Sequence, residues 1–395
     1  MTQVFSNSRL ATALFEKIPE AAAWFDREED LYPATLAELE NEFEAILSRH
    51  EDVLSAASSI RSVRRREMLR IAVGAVLGVL DLEKISRGIS ELTESYLSAM
   101  LTIAEESEAL ESELQMELAV VAMGRFGGGE MGFGSDADVM FVYRVIGTDR
   151  ELAQSQAERL VSEIRRLSSD QILEFELDLD LRPEGKNGPV VRSIDSYAAY
   201  YKRWADSWEA QALLRARVIT KGKTSDEFTE LINRYRYPAE FPLAAITEIR
   251  RIKARVEVER LPQGADPKRH LKLGRGSISD VEWLVQLIQL RFAATNTLIQ
   301  TPKTLEALSQ MEQAELLTNS DSRVLREAWI LSSRIRSAAV LFSGKRSDVL
   351  PVDRKQLEGI ARLLGYPRGG ASGLEEDYLA TTRRARMVFE RLFFD

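Results

Sequence analysis

The sequence predicts a mostly helical α+β fold, with helices up to about Glu113, a small mixed sheet in the middle and helices again from Ser193 onward. Three observations carry that expectation. The front and back stretches place apolar residues at three- and four-residue steps, the repeat of one helix face. Only three segments, near 116–123, 136–144 and 171–182, read as strands. A glycine-rich loop joins the first two. The division that follows is an N-terminal helical region over 1–114, a core over 115–222 and a C-terminal helical bundle over 223–395.

In chain order, Leu36, Leu39, Phe43 and Leu47 mark one helix, and the segment from Val63 through Leu80 another. Asp81 can cap the next, which carries Ile85, Ile89, Leu92, Tyr96 and Met100. The apolar run Val120-Val121-Ala122-Met123 then enters Gly124-Arg125-Phe126-Gly127-Gly128-Gly129-Glu130-Met131-Gly132-Phe133-Gly134-Ser135. That loop delivers Asp136-Ala137-Asp138 onto a second apolar run ending at Tyr143. A helix opens near Asp149 and runs through Leu152, Ala157, Leu160, Ile164 and Leu167. Residues Gln171 to Leu181 end on an apolar–acidic alternation that Pro183 stops. Helices follow at Tyr197–Tyr201, Trp208–Val218, Ala244–Arg260, Ile278–Phe292, Val324–Leu341 and Tyr378–Phe394. Pro238, Pro242, Pro262, Pro302, Pro351 and Pro367 lie at or near the breaks.

Strand alternation puts Asp136 and Asp138 on one face, where two carboxylates repel each other. Bound Mg²⁺ is the usual relief, since hard cations take carboxylate and phosphate oxygens together. Glycines upstream let backbone N–H groups approach a polyphosphate closely. On the third strand Glu176, Asp178 and Asp180 share a face. That face is either solvated or supplies the last acid of the cage, and the Asp-x-Asp strand upstream favours the cage. Two other motifs fail on context. Gly127, Gly129 and Gly132 match a dinucleotide fingerprint, but no crossover helix fits before Asp136. Gly222-Lys223-Thr224 lacks the earlier glycine and the leading strand of a P-loop.

Composition narrows the classes. Hydrophobic content of 45% and charged content of 29% are ordinary for a folded protein. The longest apolar stretch, near Ile71–Leu80, is far short of the roughly 20 residues a membrane span needs. The start of the chain lacks a signal-peptide pattern, and with no cysteine a cytoplasmic location is the default expectation. A net charge of −9 disfavours nucleic acid as a partner. With only His50 and His270, a histidine-rich zinc site or a Ser-His-Asp triad is disfavoured. Arg61, Arg64, Arg65, Arg66 and Arg70 read as a solvated helix face pairing with acids. Lys268, Arg269, Lys272 and Arg275, before a helix starting near Ser277, read either as a phosphate-contacting loop or as a contact to the acidic sheet face. Asp280 and Glu282 read as acids that suit the first turn of that helix.

Gly124-Arg125-Phe126-Gly127-Gly128 with Phe133-Gly134-Ser135-Asp136-Ala137-Asp138 resembles the signature of the bifunctional glutamine synthetase adenylyltransferase/adenylyl-removing enzymes. These belong to the DNA polymerase beta-like nucleotidyltransferase superfamily. Asp178-Leu179-Asp180-Leu181-Arg182-Pro183 with Gly188-Pro189, the stretch Trp208–Arg217 and the stretch Leu271–Trp283 resemble the same family. The resemblance runs from about Ser8 to the C-terminus. Family proteins carry two such halves, one adding and one removing AMP, and this chain resembles one. Gly276-Ser277-Ile278-Ser279-Asp280-Val281-Glu282-Trp283 resembles the adding half, because the removing half typically reads Gly-Gly-Ile-Arg-Glu-Ile-Glu-Phe there. Ser277 departs from a common glycine, and Arg125 stands where many relatives have lysine.

The resemblance implies a nucleotidyltransferase that moves AMP from ATP to a tyrosine hydroxyl of glutamine synthetase and releases pyrophosphate, regulating nitrogen assimilation. Asp136, Asp138 and Asp178 would hold two Mg²⁺ ions and carry the catalysis, with Asp180 the alternative third ligand. Gly124, Arg125, Gly127, Gly128, Ser135, Arg182 and Lys272 would bind the nucleotide. A PII-type signalling protein and glutamine would be effectors. The alternatives are the phosphorolytic removing half and a non-catalytic regulatory module; the intact acids disfavour the second.

Overall fold

The computed structural model describes residues 2–394 except Asp26, Glu51, Ala205 and Asp206; the side chains of Ala22 and Trp204 are likewise outside the description. The front consists of helices α1 (Thr2–Asn7), α2 (Arg9–Lys17), α3 (Leu36–Leu47), α4 (Val53–Val76) and α5 (Leu82–Glu111). Caps set their starts: Thr35 and Glu38 form a reciprocal capping box at α3, and Asp52 and Asp81 accept backbone N–H groups at α4 and α5.

The core follows as β1 (Met116–Ala122), the single turn α6 (Gly124–Gly127), β2 (Ala137–Val145), α7 (Arg150–Ser168), β3 (Leu177–Asp178), β4 (Val191–Ser193), α8 (Ile194–Trp204), α9 (Ser207–Leu213), β5 (Arg217–Val218) and α10 (Lys223–Arg236). β1 pairs antiparallel with β2 and with β5, while β3 and β4 both run parallel to β2 along its other edge. Period-two alternation splits the sheet into two apolar faces. Leu118, Val120, Val139 and Phe141 join the core of the N-terminal helices and α7. Ala119, Val121, Met140 and Val142 pack with Tyr197, Leu213, Phe228 and Ile232 of α8, α9 and α10. The layer around the sheet thus runs to Arg236, past the boundary expected at 222.

The remainder is α11 (Leu243–Glu259), α12 (Ile278–Phe292), α13 (Thr304–Gln313), α14 (Asn319–Ser343), α15 (Arg354–Leu363) and α16 (Ala371–Phe393). α12, α14 and α16 share a core around Leu284, Trp329 and Phe389. The bundle is tied back to the front, where α2 packs on α14 and Ser8 Oγ donates to the Leu341 carbonyl at 2.7 Å.

Three expectations change. The strand expected over 171–182 contributes only two ladder residues. Arg64 takes the carbonyls of Leu173 and Glu174, so that stretch is held by α4 rather than by a strand. Beyond Asp178 the chain turns away through a loop wrapped around Arg182 and rejoins the same edge as β4. The helix expected over 208–218 stops at Leu213, and Arg217–Val218 add a strand to β1. The arginines of α4 do pair with acids, but they are not a solvated face. Arg64 is buried between Tyr96 and Phe175, Arg65 grips Asp170 at 2.7 and 2.8 Å, and Arg66 holds Glu42 and Glu67.

Candidate functional site

β1 ends in a ladder bond, Met123 N–H to Asp138 O at 2.8 Å, and the chain turns at once into α6. Gly124 makes that turn with φ +52, and a Cβ there would sit 2.5 Å from an Asp138 carboxylate oxygen. Only glycine lets this carboxylate lie against the turn. Asp138 pairs in parallel register with Asp178, so the two acids stand side by side on adjacent strands. Asp136, two residues earlier, lies at the same end with its side chain 40% exposed. Burial pushes the Asp138 carboxyl up to about 7, and the neighbouring Asp178 and Asp136 add to the rise while Lys272 opposes it. Three acids therefore converge electrostatically at the end of β2.

Of the two downstream acids, Asp178 is the one in register with Asp138. Its Oδ1 accepts the Asp180 N–H at 2.8 Å, and Asp180 turns outward to Lys186 at 3.3 Å. Ser135 precedes the acids, its Oγ accepting the Gly132 N–H at 2.9 Å. Lys272 is exposed, with no ion-pair partner among the described residues, and its field reaches Asp138.

Four expected nucleotide contacts lie elsewhere. Arg125 donates to the Glu130 carbonyl at 2.8 Å, approaches Ser333 Oγ and stacks 5.3 Å from the Trp329 ring. Burial lowers its guanidinium to about 10. Arg182 is buried and spends its donors on the carbonyls of Leu179, Lys186 and Gly188. Gly127 and Gly128 use their N–H groups inside the turn, on Met123 O and Gly124 O. Added Cβ atoms there would strike the Arg215 carbonyl and guanidinium and the Pro302 carbonyl. These two glycines therefore permit close packing rather than grip a phosphate. Proximity to a motif in sequence does not aim a side chain at its acids.

The last motif is also redirected. Asp280 is buried against Lys253 at 2.6 Å and Arg386 at 2.9 Å, and it accepts the Gly276 N–H. Glu282 accepts from Arg215 at 2.9 Å and from Trp329 Nε1 at 3.3 Å. Neither acid acts mainly on the helix terminus. Arg215 also grips Glu130, which accepts in addition from the Thr304 N–H and hydroxyl and from the Leu305 N–H. This buried chain locks the glycine segment to α12 and α13. A cavity of about 1310 Å³ lies behind it, bordered by Gly127–Glu130 but by none of Asp136, Asp138, Asp178 or Lys272.

One residue at the acids had no local signal in the sequence. Arg346, just past the end of α14, reaches Asp136 and also Glu176, the latter at 2.9 Å. Among the described residues no group of three or more His, Cys, Asp or Glu side chains is set to hold a metal ion. Arg346 occupies Asp136 in this arrangement. The donor chemistry nonetheless fits a hard divalent cation, because Asp138 and Asp178 are oxygen donors in register and the buried one is strained by its neighbour.

A helix-wrapped mixed sheet, with in-register carboxylates beside a glycine turn, is a nucleotidyltransferase-like α+β arrangement. The chain belongs to the glutamate-ammonia ligase adenylyltransferase family, whose model matches residues 1–231. Residues 250–393 match the model described as GlnD PII-uridylyltransferase. Relatives named bifunctional glutamine synthetase adenylyltransferase/adenylyl-removing enzyme include one from Leifsonia xyli subsp. xyli, 50% identical over all of this chain and 39% of its own length. Another, from Streptomyces avermitilis, is 42% identical over all of this chain and 42% of its own length. A third, from Cutibacterium acnes, is 37% identical over 99% of this chain and 39% of its own length. The chain thus spans about two fifths of the length of these relatives. No described helix is long and apolar enough to cross a membrane.

Proposed function

We propose that this chain transfers AMP from ATP to a tyrosine hydroxyl of glutamine synthetase, releasing pyrophosphate. The observation that carries the reading is the register of Asp138 against Asp178, with Asp136 beside them and Gly124 clearing the space, in a chain of this family. Asp136, Asp138 and Asp178 would hold Mg²⁺, which when bound neutralises the triphosphate and makes the acceptor hydroxyl more acidic.

The chain's own side chains do the rest. Asp178, half-buried in the register, takes the tyrosine proton, because a phenol with a free pKa near ~10 attacks poorly at neutral pH. Lys272 faces the incoming phosphates, and the Ser135 hydroxyl remains able to donate to them. The segment matched by the uridylyltransferase model is where we place contact with a PII-type signalling protein, with glutamine as a further effector and the cytoplasm as the setting.

The assignment to the adding rather than the removing half rests on the Ser279-Asp280 pair. Both side chains are buried, and Asp280 faces Lys253 and Arg386, so the pair shapes the bundle behind Lys272 rather than the charge at the reacting phosphate. Incubation with α-phosphate-labelled ATP, Mg²⁺ and unmodified glutamine synthetase should place label on a synthetase tyrosine. ADP formed from phosphate and adenylylated synthetase, without labelling in the first reaction, would reverse the direction.

A further inference from the structure

The loop after α14 is built to carry a cation to the acids. α14 is capped by Gly344, with φ +70, and the chain reverses. Residues 348–350 then pair with Arg269–Leu271: Leu271 N–H donates to Asp348 O at 2.7 Å, Leu350 N–H to Arg269 O at 2.8 Å, and His270 bridges Val349. The Asp348 carboxylate is pinned by Arg336. One clip therefore fixes the backbones behind both Lys272 and Arg346. Gly134, with φ +74, completes the seat, since a Cβ there would come within 3.0 Å of Arg346 Cγ. The guanidinium is 40% exposed and shared between Asp136 and Glu176. Those two acids belong to the end of the sheet that the proposed function gives to the triphosphate.

We propose that Arg346 is the pyrophosphate-binding residue of this site, exchanging Asp136 and Glu176 for the β- and γ-phosphates of ATP. The inference rests on the proposed nucleotide chemistry. A guanidinium presents several donors in a fixed fork that matches phosphate oxygens, and it stays charged throughout. With Asp136 engaged as a metal ligand, its carboxylate would no longer hold Arg346, and the fork would be free to meet the phosphates. In the transfer, the tyrosine oxygen bonds to the α-phosphorus as the bond from that phosphorus to the bridging oxygen breaks. The electron pair leaves on pyrophosphate, and the tyrosine proton passes to Asp178. Arg346 and Lys272 then flank the charge that grows on the leaving group.

The test is calorimetric titration of the full chain, with Mg²⁺, by ATP, pyrophosphate and AMP, for wild type, Arg346→Ala and Arg346→Lys. Arg346→Ala should weaken pyrophosphate and ATP by about tenfold or more while AMP changes by less than about twofold, and Arg346→Lys should recover part of the loss. Thermal melting of each variant checks that the fold persists. Unchanged pyrophosphate affinity, an equal loss for AMP, or tighter ATP binding in Arg346→Ala would overturn the assignment while leaving the proposed function standing. A wild-type chain that binds neither ATP nor pyrophosphate would overturn both.

Discussion

The arginines of α4 and the cations at the carboxylate mouth solve opposite problems. Arg64, Arg65 and Arg66 are closed off. Each finds carboxylates or carbonyls at hydrogen-bond distance, and Arg64 is covered by two aromatic rings. Lys272 and Arg346 are open, one without an ion-pair partner among the described residues and the other shared between two half-exposed acids. Desolvating a charge is costly unless its partners are complete, so a complete shell marks a cation that holds the fold. An incomplete shell at the mouth of an acidic pair marks one that can change partners. Charge density along the sequence does not separate the two, because the denser cluster is the structural one.

The strongest test of the mouth is Asp138→Asn. It keeps shape and removes the charge that pairs across to Asp178, so AMP transfer should fall by about a thousandfold or more. Because Asp138 is buried beside two acids, the variant should melt no lower than the parent at pH 8. Wild-type transfer rates in a folded variant would remove the mouth from the chemistry.

The closed region is tested by Asp170→Asn. Burial works against the Asp170 charge, but the Arg65 guanidinium and the backbone N–H groups of Ile172 and Leu173 overcome it and hold the carboxyl below its usual range. Removing that charge leaves Arg65 and Arg64 without their acid, at a cost of about 3 kcal/mol in chemical denaturation. Activity per folded molecule should stay near that of the parent. A large kinetic defect at unchanged stability would erase the distinction between the two regions.

Much of the fold and the central acids were legible because their signals are local. Helix faces repeat within a few residues, and Asp136 and Asp138 sit two apart on a strand whose apolar partners alternate. What was hidden depends on partners far away. The alternation through 171–182 is visible, but not that Arg64, 109 residues from Leu173, claims its carbonyl. β4 and β5 are too short to show a period. Arg125 and Arg182 flank the right motifs and yet point into packing, while Arg346 arrives from 210 residues beyond Asp136. Which way a long side chain turns is decided by the elements that surround it.

That distinction is sharpened by exchanging charge for shape in one residue of each kind. Lys272→Met should raise the ATP concentration needed for half-maximal transfer by about tenfold with an unchanged melting temperature. Arg125→Met should do the reverse. It strips the Glu130 carbonyl and the Trp329 face of their partner, lowering the melting temperature by a few degrees while ATP affinity per folded molecule holds. Equal effects of the two substitutions on ATP affinity would show that Arg125 reaches the nucleotide after all.

Glu105 on α5 is a counter-example, an acid with no cation paired to it among the described residues. Burial raises its carboxyl to about 7, and Glu117 and Glu106 push in the same direction. A carboxyl raised on folding binds its proton more tightly in the folded state. Its stabilising effect is therefore fully present below the ordinary value of 4.5 and is lost as pH rises through 7. Glu105→Gln should then gain about 1 kcal/mol at pH 8, the full linkage value being larger but reduced because part of the side chain meets water. The gain should shrink through neutral pH and vanish below about pH 4.5. Urea denaturation of both proteins at pH 4, 6 and 8 measures it. A gain independent of pH would assign the effect to packing, and no gain would mean that a cation or water already answers the charge.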